Sequence, residues 1–235
     1  MRAVRLLAAV SLLVVVAPAM AAKDKPASLL TAADLDPVLV LPPPPLPGSA
    51  QATADLAELH AVERLRTPTE QAAAELEGET KNATIFADVL GPRFDLATLP
   101  ATARLMAMVR ATEKAVVDRG KDEFRRPRPY MVDPTLTPCK RNEDPLSSYP
   151  SGHTTMAFSM AAVLARLVPD QAQALLARAA RYGQSRITCG QHFRSDVSAG
   201  QMLGAVLAER LMAVPSVAPA TAAARSELIA AGIAR

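Results

Sequence analysis

The stretch SSYPSGHTTMAFSMAAVLARLVPD, residues 147–170, decides the fold because it joins a tight turn to a long apolar helix. Pro150 and Gly152 favour the turn, and the apolar residues of 154–167 predict the helix. Backbone N–H groups at a helix start bind anions, and the Ser151 hydroxyl can donate as well. His153 is placed there to exchange a proton with a bound ester. The same residues also fit a plain turn that Ser or Thr caps.

The composition on either side of this stretch favours helices. Ala and Leu dominate, Trp is absent, and the chain has five Phe and three Tyr, so residues typical of strands are scarce. We predict an all-α, single-domain helical bundle. Residues 80–97 are mixed, and 121–153 are irregular and rich in proline and charge. Apolar spacing and Pro or Gly signals predict the remaining helices at 51–66, 68–79, 99–119 with Gly120 as the stop, 169–182, 195–212 and 219–232.

The N-terminus has the features of a secretory signal over residues 1–22. Arg2 and Arg5 precede the apolar run 6–16, and Ala19-Met20-Ala21 resembles a cleavage site. An uncleaved membrane anchor is the alternative, but the run is short for a span. We expect cleavage, a periplasmic location and no membrane contact for the mature protein.

Residues 23–50 form a predicted Pro-rich arm ahead of a helical domain at 51–235. Its Pro42–Pro45 run excludes helix and central strand, so an extended polyproline segment is expected. The composition fits a disordered linker and a strap across the domain equally well.

Charge and cysteine content narrow the function further. The formal charge of +3 falls to +1 when Arg2 and Arg5 are removed, which gives no basis for nucleic-acid binding. Cys139 and Cys189 are the only cysteines, so an exported chain allows one disulfide. Two separate buried thiols are the alternative.

A first pair of cations lies in the irregular region. Lys121 and Arg128, the latter followed by Pro129, are seven positions apart and can converge on one anion. The Arg fork matches phosphate oxygens, and Lys adds a compact charge. A solvated basic loop is the alternative, since Arg125 and Arg126 are also here.

A second group follows the central helix as Ser185-Arg186, then His192, then Asp196. The four-residue spacing of His192 and Asp196 lets the carboxylate reach the ring. A carboxylate on Nδ1–H leaves the Nε2 lone pair ready to attack. A surface His–Asp pair of little consequence is the alternative. His60, the remaining histidine, is expected to be structural.

Together, Lys-x6-Arg-Pro, Pro-Ser-Gly-His and Ser-Arg-x5-His-x3-Asp resemble the signature of the type 2 phosphatidic acid phosphatase superfamily. This superfamily includes soluble acid phosphatases, lipid phosphatases and vanadium haloperoxidases. The signal segment, the Leu41-to-Pro45 stretch and residues 148–154 make the chain most similar to class A bacterial non-specific acid phosphatases.

The resemblance implies an all-helical, metal-independent and cofactor-free phosphatase for small phosphate monoesters. His192 would be the nucleophile, Asp196 its orienting group and His153 the general acid and base. The implied disulfide joins Cys139 and Cys189. The implied phosphate-binding groups are Lys121, Arg128, Arg186, Ser151 and the Gly152 N–H.

Two departures and several rivals remain. Ser147 replaces a usual Gly, and residues 80–97 match poorly. The rivals are a metal site on His153, His192 and Asp196, a lipid phosphatase, a vanadate-dependent haloperoxidase and a non-catalytic phosphate-binding protein. A homo-oligomer is compatible with the sequence.

Overall fold

The computed structural model describes residues 27–235, so the predicted signal at 1–22 and the start of the arm lie outside it. Every regular element in the described range is helical, which confirms the all-α prediction. Short 3₁₀ turns precede α4, α8 and α10 in the following set. The helices are α1 (Pro37–Val40), α2 (Ala50–Leu65), α3 (Pro68–Glu79), α4 (Ala87–Leu90), α5 (Pro100–Phe124), α6 (Pro129–Val132), α7 (Gly152–Leu167), α8 (Ala172–Thr188), α9 (Arg194–Met212) and α10 (Ala218–Ala230).

The apolar helix predicted from the opening stretch, α7, lies at the centre of the fold. It packs against α5, α8 and α9, the three longest helices. Met156, Met160 and Leu164 are fully buried in this core, and burial of such side chains stabilises the fold by roughly 1.5–3 kcal/mol each. The first turn of α7 therefore emerges where three neighbouring helices meet.

Two helices run further than the sequence indicated. The expected stop at Gly120 is wrong, because α5 continues to Phe124 and ends at Arg125, which has a φ of 43°. A Cβ on Gly120 would lie 3.1 Å from Pro150 Cδ. Likewise α8 passes through Gly183, where a Cβ would lie 3.2 Å from Thr154 Cγ2. Both glycines permit close approach to the turn and start of α7 rather than ending a helix.

These extensions change the setting of two predicted site residues. Lys121 lies in the last turn of α5 and Arg186 in the last turn of α8. The region 121–153 is consequently less irregular than expected, with α6 and the end of α5 inside it. A helix holds each cation more rigidly than the loop that the sequence suggested for Lys121.

The arm packs as a strap against α5. Leu30, Leu35 and Leu41 are buried, and Tyr149 Oη donates to the Pro42 carbonyl at 2.6 Å. The Leu29 N–H donates to Thr112 Oγ1 at 3.2 Å. Of the two alternatives for the arm, the strap describes residues 27–49.

The predicted disulfide is present. Cys139 and Cys189 are joined across 50 residues, which ties the loop after α6 to the end of α8. In the chain-entropy model a loop of this size stabilises the fold by roughly 4 kcal/mol.

No single helix within residues 27–235 combines the length and apolar character needed to cross a bilayer. One bent pair, Arg194–Met212 with Pro215–Ala230, meets both criteria jointly.

The start of α5 is capped from a distant helix. Leu99 offers no side-chain cap, and Glu227 of α10 instead accepts hydrogen bonds from Ala101 N at 2.9 Å and from Thr102 N at 2.8 Å. Partial burial opposes ionisation, but the hydrogen bonds from Ala101 and Thr102 prevail and lower the pKa of Glu227. The carboxylate therefore couples α10 to the helix that carries Lys121.

We expect Glu227→Gln to destabilise the protein by about 1 kcal/mol near neutral pH, a decrease in Tm of about 2–4 °C. Because the folded-state pKa is depressed, the stabilisation is present above the unfolded pKa and lost as pH falls through the folded value. The difference in Tm between wild type and variant should thus shrink in acid, which calorimetry at several pH values measures. Glu209→Gln, in an exposed pair with Arg166, is the control and should change Tm little. Equal effects of the two substitutions would contradict the capping role.

Candidate active site

His192 is held by a backbone carbonyl just before α9. It is 2% exposed, and its Nδ1 lies 2.8 Å from the Ser148 carbonyl oxygen. A carbonyl oxygen only accepts, so Nδ1 carries the hydrogen and Nε2 keeps its lone pair in the neutral ring. Nε2 lies 3.4 Å from Arg128 Nη1. The ring is thus arranged for attack through Nε2.

Asp196 has a different partner from the one that the sequence suggested. Its Oδ2 is 3.6 Å from His192 Nδ1, longer than a hydrogen bond, because Ser148 supplies the acceptor instead. Asp196 Oδ2 accepts from Ser148 Oγ at 2.6 Å and from Phe193 N at 2.8 Å. The carboxylate therefore orients the segments on both sides of the ring rather than the ring nitrogen itself.

A buried arginine that the sequence interpretation left aside completes this arrangement. Arg126 Nη1 lies 2.6 Å from Asp196 Oδ1, and its Nη2 lies 3.4 Å from Asp55 Oδ2 on α2. Its guanidinium also lies 4.3 Å from the centre of the Phe193 ring. Asp55 and Asp196 are 1% and 0% exposed, so each carboxylate needs this shared cation.

The only sequence signal for this network was indirect. Arg126 adjoins the Arg128-Pro129 motif, and Asp55 is a lone charge on the apolar face of its helix. Neither feature indicates a pairing across 71 residues.

His153 is the second residue of α7 and is held by another carbonyl. Its Nε2 lies 3.0 Å from the Gly78 oxygen, near the end of α3. The ring lines the same cavity as His192. No local sequence pattern indicates this contact of Gly78.

The three predicted cations lie in the wall of that cavity. Lys121 reaches the cavity from α5, and Arg186 reaches it from α8. Arg128 lies in the loop just before α6. Arg128 is 6% and Arg186 4% exposed, yet none of the three has a carboxylate within 4.0 Å among residues 27–235. Of the other cavity cations, Arg110, Lys114 and Lys140 each have an acidic partner, and Lys81 and Arg141 are exposed to solvent. Buried unpaired cations are costly, so the inner group favours a bound anion.

Neutral groups hold Arg128 in place. Nη1 donates to the Gln191 carbonyl at 2.9 Å, and Nη2 donates to Ser147 Oγ at 3.0 Å. Ser147, the departure from the family pattern, therefore contacts a predicted site residue directly. Arg186 Nη2 donates to the Ala74 carbonyl at 3.3 Å, and its buried Nε has no hydrogen-bond partner among the described residues.

The cavity has a volume of about 630 Å³, which exceeds the needs of a phosphate group alone. Gly152 lines it, as expected for an N–H donor at the start of α7. Ser151 does not, because its hydroxyl caps α7 and contacts Thr154 Oγ1 at 3.0 Å. The structure thus gives Ser151 the capping role that was the alternative for this turn. His60 is remote from the cavity and pairs with Asp133 at 2.9 Å.

Burial and the cations shift both imidazoles in the same direction. Burial, followed by Arg128, Lys121 and Arg186, lowers the pKa of His192 well below the usual 6.5. Burial, followed by Arg186, lowers the pKa of His153 in the same way. Both rings are therefore neutral near pH 7 without a bound anion, and a bound anion raises both pKa values.

No group of three or more His, Cys, Asp or Glu side chains within residues 27–235 has a geometry suited to a metal ion. In the rival metal site, Asp196 would have to leave Arg126, and the charges of Lys121, Arg128 and Arg186 in the same cavity would repel the ion. The donor set therefore fits an oxyanion better than a cation.

Comparison with known proteins agrees with this geometry. A model of the PAP2 superfamily matches residues 102–218. The acid phosphatase of Zymomonas mobilis subsp. mobilis is 36% identical over 174 residues, which cover 72% of this chain and 66% of that protein. The non-specific acid phosphatase of Salmonella typhi is 34% identical over 163 residues, covering 67% and 65%. The match thus spans slightly less than two thirds of these two relatives. That of Providencia stuartii is 32% identical over 178 residues, covering 72% and 71%.

Solved structures share the helical fold. A transmembrane PAP2 type phosphatidylglycerolphosphate phosphatase from Bacillus subtilis has a TM-score of 0.55 and 20% identity, covering 69% of this chain and 85% of that chain. Aquifex aeolicus LpxE has a TM-score of 0.54 and 23% identity, covering 67% and 94%. With the three sequence clusters around one cavity and a relative matched over most of its length, the chain belongs to the PAP2 superfamily.

Proposed function

We propose that this protein is an acid phosphatase that hydrolyses small phosphate monoesters through a phosphohistidine at His192, without a metal ion. The observation that carries the proposal is the convergence of three cations lacking acidic partners with two imidazoles whose tautomers are opposite. The names of the relatives support the reaction class.

The reaction has two steps. Lys121, Arg128 and Arg186 bind the phosphate oxygens and offset the charge that develops on them. His192 Nε2 forms a bond to phosphorus as the bond to the leaving oxygen breaks, and protonated His153 gives its proton to that oxygen. Neutral His153 then takes a proton from water, whose oxygen displaces the imidazole and releases inorganic phosphate.

Asp196 and Arg126 act one layer away from the phosphate. Together they hold Ser148 and Phe193, which flank the His192 ring in space. A displacement of the ring by 1 Å costs on the order of 100-fold in rate, so this support is part of the mechanism.

We further propose export to the periplasm after cleavage of residues 1–22. The disulfide between Cys139 and Cys189 supports an oxidising compartment. The cavity volume leaves room for an alcohol of sugar size beside the phosphate. Small water-soluble monoesters are therefore the proposed substrates.

The covalent intermediate gives the first test. Rapid denaturing quench with ³²P-labelled substrate, followed by separation in alkali, should leave label on the wild type and none on His192→Ala. His153→Ala should accumulate label with p-nitrophenyl phosphate, because a good leaving group needs little protonation whereas the attacking water still needs a base.

The same assay separates the rivals. Turnover should persist in excess chelator, and its loss there would support the metal-dependent rival. Phosphate binding with no p-nitrophenol release would contradict the proposal and support the non-catalytic binder. Label on His192→Ala would assign the nucleophile elsewhere.

The pH profile gives a second test. His192 must be neutral and His153 protonated, and the pKa of His153 is depressed, so activity should be lost as pH rises through the anion-bound value of that pKa. We expect a bell-shaped kcat profile with its optimum below pH 7. Burial also raises the pKa of Glu113 in the cavity wall to about 7. If His153 causes the decrease in kcat at high pH, Glu113→Gln should still show this decrease. His153→Ala should not show it. A rate that increases steadily to pH 9 would contradict the assignment.

Arg126 gives a third test. Arg126→Lys keeps the charge but cannot bridge Asp55 and Asp196 with one fork, so kcat should fall by about tenfold or more with KM little changed. The neighbouring exposed residue provides the control as Arg125→Lys, which should match wild type. A change confined to KM would show that Arg126 acts on substrate binding instead.

A further inference from the structure

The last turn of α3 contacts two site residues although it lies outside the region that the family model matches. The Gly78 carbonyl oxygen is 3.0 Å from His153 Nε2. Because a carbonyl cannot donate, Nε2 carries a hydrogen in both protonation states of the ring. The nitrogen of His153 that gains and loses a proton is therefore Nδ1.

The lack of a side chain at Gly78 makes room for Arg186. A Cβ on Gly78 would lie 1.9 Å from Arg186 Nη1 and 2.9 Å from Arg186 Cζ. The guanidinium thus occupies the space beside this Cα, and Nη2 donates to the Ala74 carbonyl one turn earlier. A larger residue at 78 requires Arg186 to move.

We propose that Gly78 is a positioning residue for the phosphatase reaction, an inference that rests on the proposed function. Its carbonyl selects Nδ1 of His153 as the atom that delivers the proton to the leaving oxygen. Its bare Cα lets Arg186 reach the phosphate beside that ring. The two histidines consequently work through different nitrogens, His192 through Nε2 and His153 through Nδ1.

Nitrogen NMR of the ¹⁵N-histidine-labelled protein tests the tautomers without reference to activity. At pH 7, where both rings are neutral, His153 should show the Nε2–H tautomer and His192 the Nδ1–H tautomer. Spectra of His153→Ala and His60→Ala assign the signals. The Nδ1–H tautomer at His153 would overturn the proposal even in a fully active enzyme, and the expected tautomers in an inactive protein would reject only the phosphatase function.

Kinetics of Gly78→Ala test the second part. Ala favours helix over Gly, so Tm should not fall through loss of α3. Displacement of Arg186 should lower kcat/KM for p-nitrophenyl phosphate by about tenfold or more, and disturbance of His153 should lower it further for glycerol phosphate, a poorer leaving group.

A control variant and a double variant show whether the effect of Gly78→Ala acts through Arg186. Leu76→Ala changes an exposed residue of the same helix that does not line the cavity, and it should leave kcat/KM for both substrates unchanged. In an Arg186→Lys background, which lacks Nη1, Gly78→Ala should have a much smaller effect on kcat/KM than in the wild type. Wild-type kinetics for Gly78→Ala, or an unchanged effect in that background, would overturn the role of the bare Cα.

Discussion

The ion pair between Arg126 and Asp196 is the interaction on which the rest of the site depends. It lies where α2, α9 and the turn before α7 meet, because Arg126 also reaches Asp55, and its own carbonyl accepts from the Ser148 N–H at 3.1 Å. Removing the cation would leave two carboxylates buried without a charged partner, which costs several kcal/mol. One guanidinium therefore fixes the relative position of three chain segments around His192.

The cations nearer the cavity, unlike Arg126, are not paired with carboxylates. Arg128 and Arg186 are as deeply buried as Arg126, but their donors meet carbonyls and a hydroxyl rather than carboxylates. Burial, and for Lys121 also the neighbouring Arg128, lowers the pKa of each of these three cations, which reflects an unfavourable environment for the charge. Folding thus retains a local electrostatic cost that a bound anion would relieve, and under the proposed function this relief contributes to the binding of phosphate.

Sequence reasoning located the parts of the site more readily than their connections. The helices, the three clusters and the disulfide follow from local patterns of apolar spacing, motif residues and cysteine number. The Asp55–Arg126 pair and the Gly78 contact join α2 and α3 to segments far along the chain, and no local pattern encodes such pairing. The predicted helix ends at 119 and 182 were wrong for a related reason. Gly120 and Gly183 are glycines because they contact residues 150–154 at close range, and only the folded structure reveals that contact.

The hydrogen-bond acceptor at His192 influences how easily its ring is protonated, which matters for the proposed reaction in acid. A carboxylate bonded directly to His192 Nδ1 would fix the same tautomer but would also stabilise the protonated ring and raise its pKa. The Ser148 carbonyl fixes the tautomer without a formal charge, and Arg126 offsets the charge of Asp196 at 2.6 Å. In the proposed reaction this low pKa of His192 favours the neutral form of the nucleophile. Since a carbonyl also holds His153, any difference between the two rings comes from the surrounding charges, which are Arg128, Lys121 and Arg186 for His192 and chiefly Arg186 for His153.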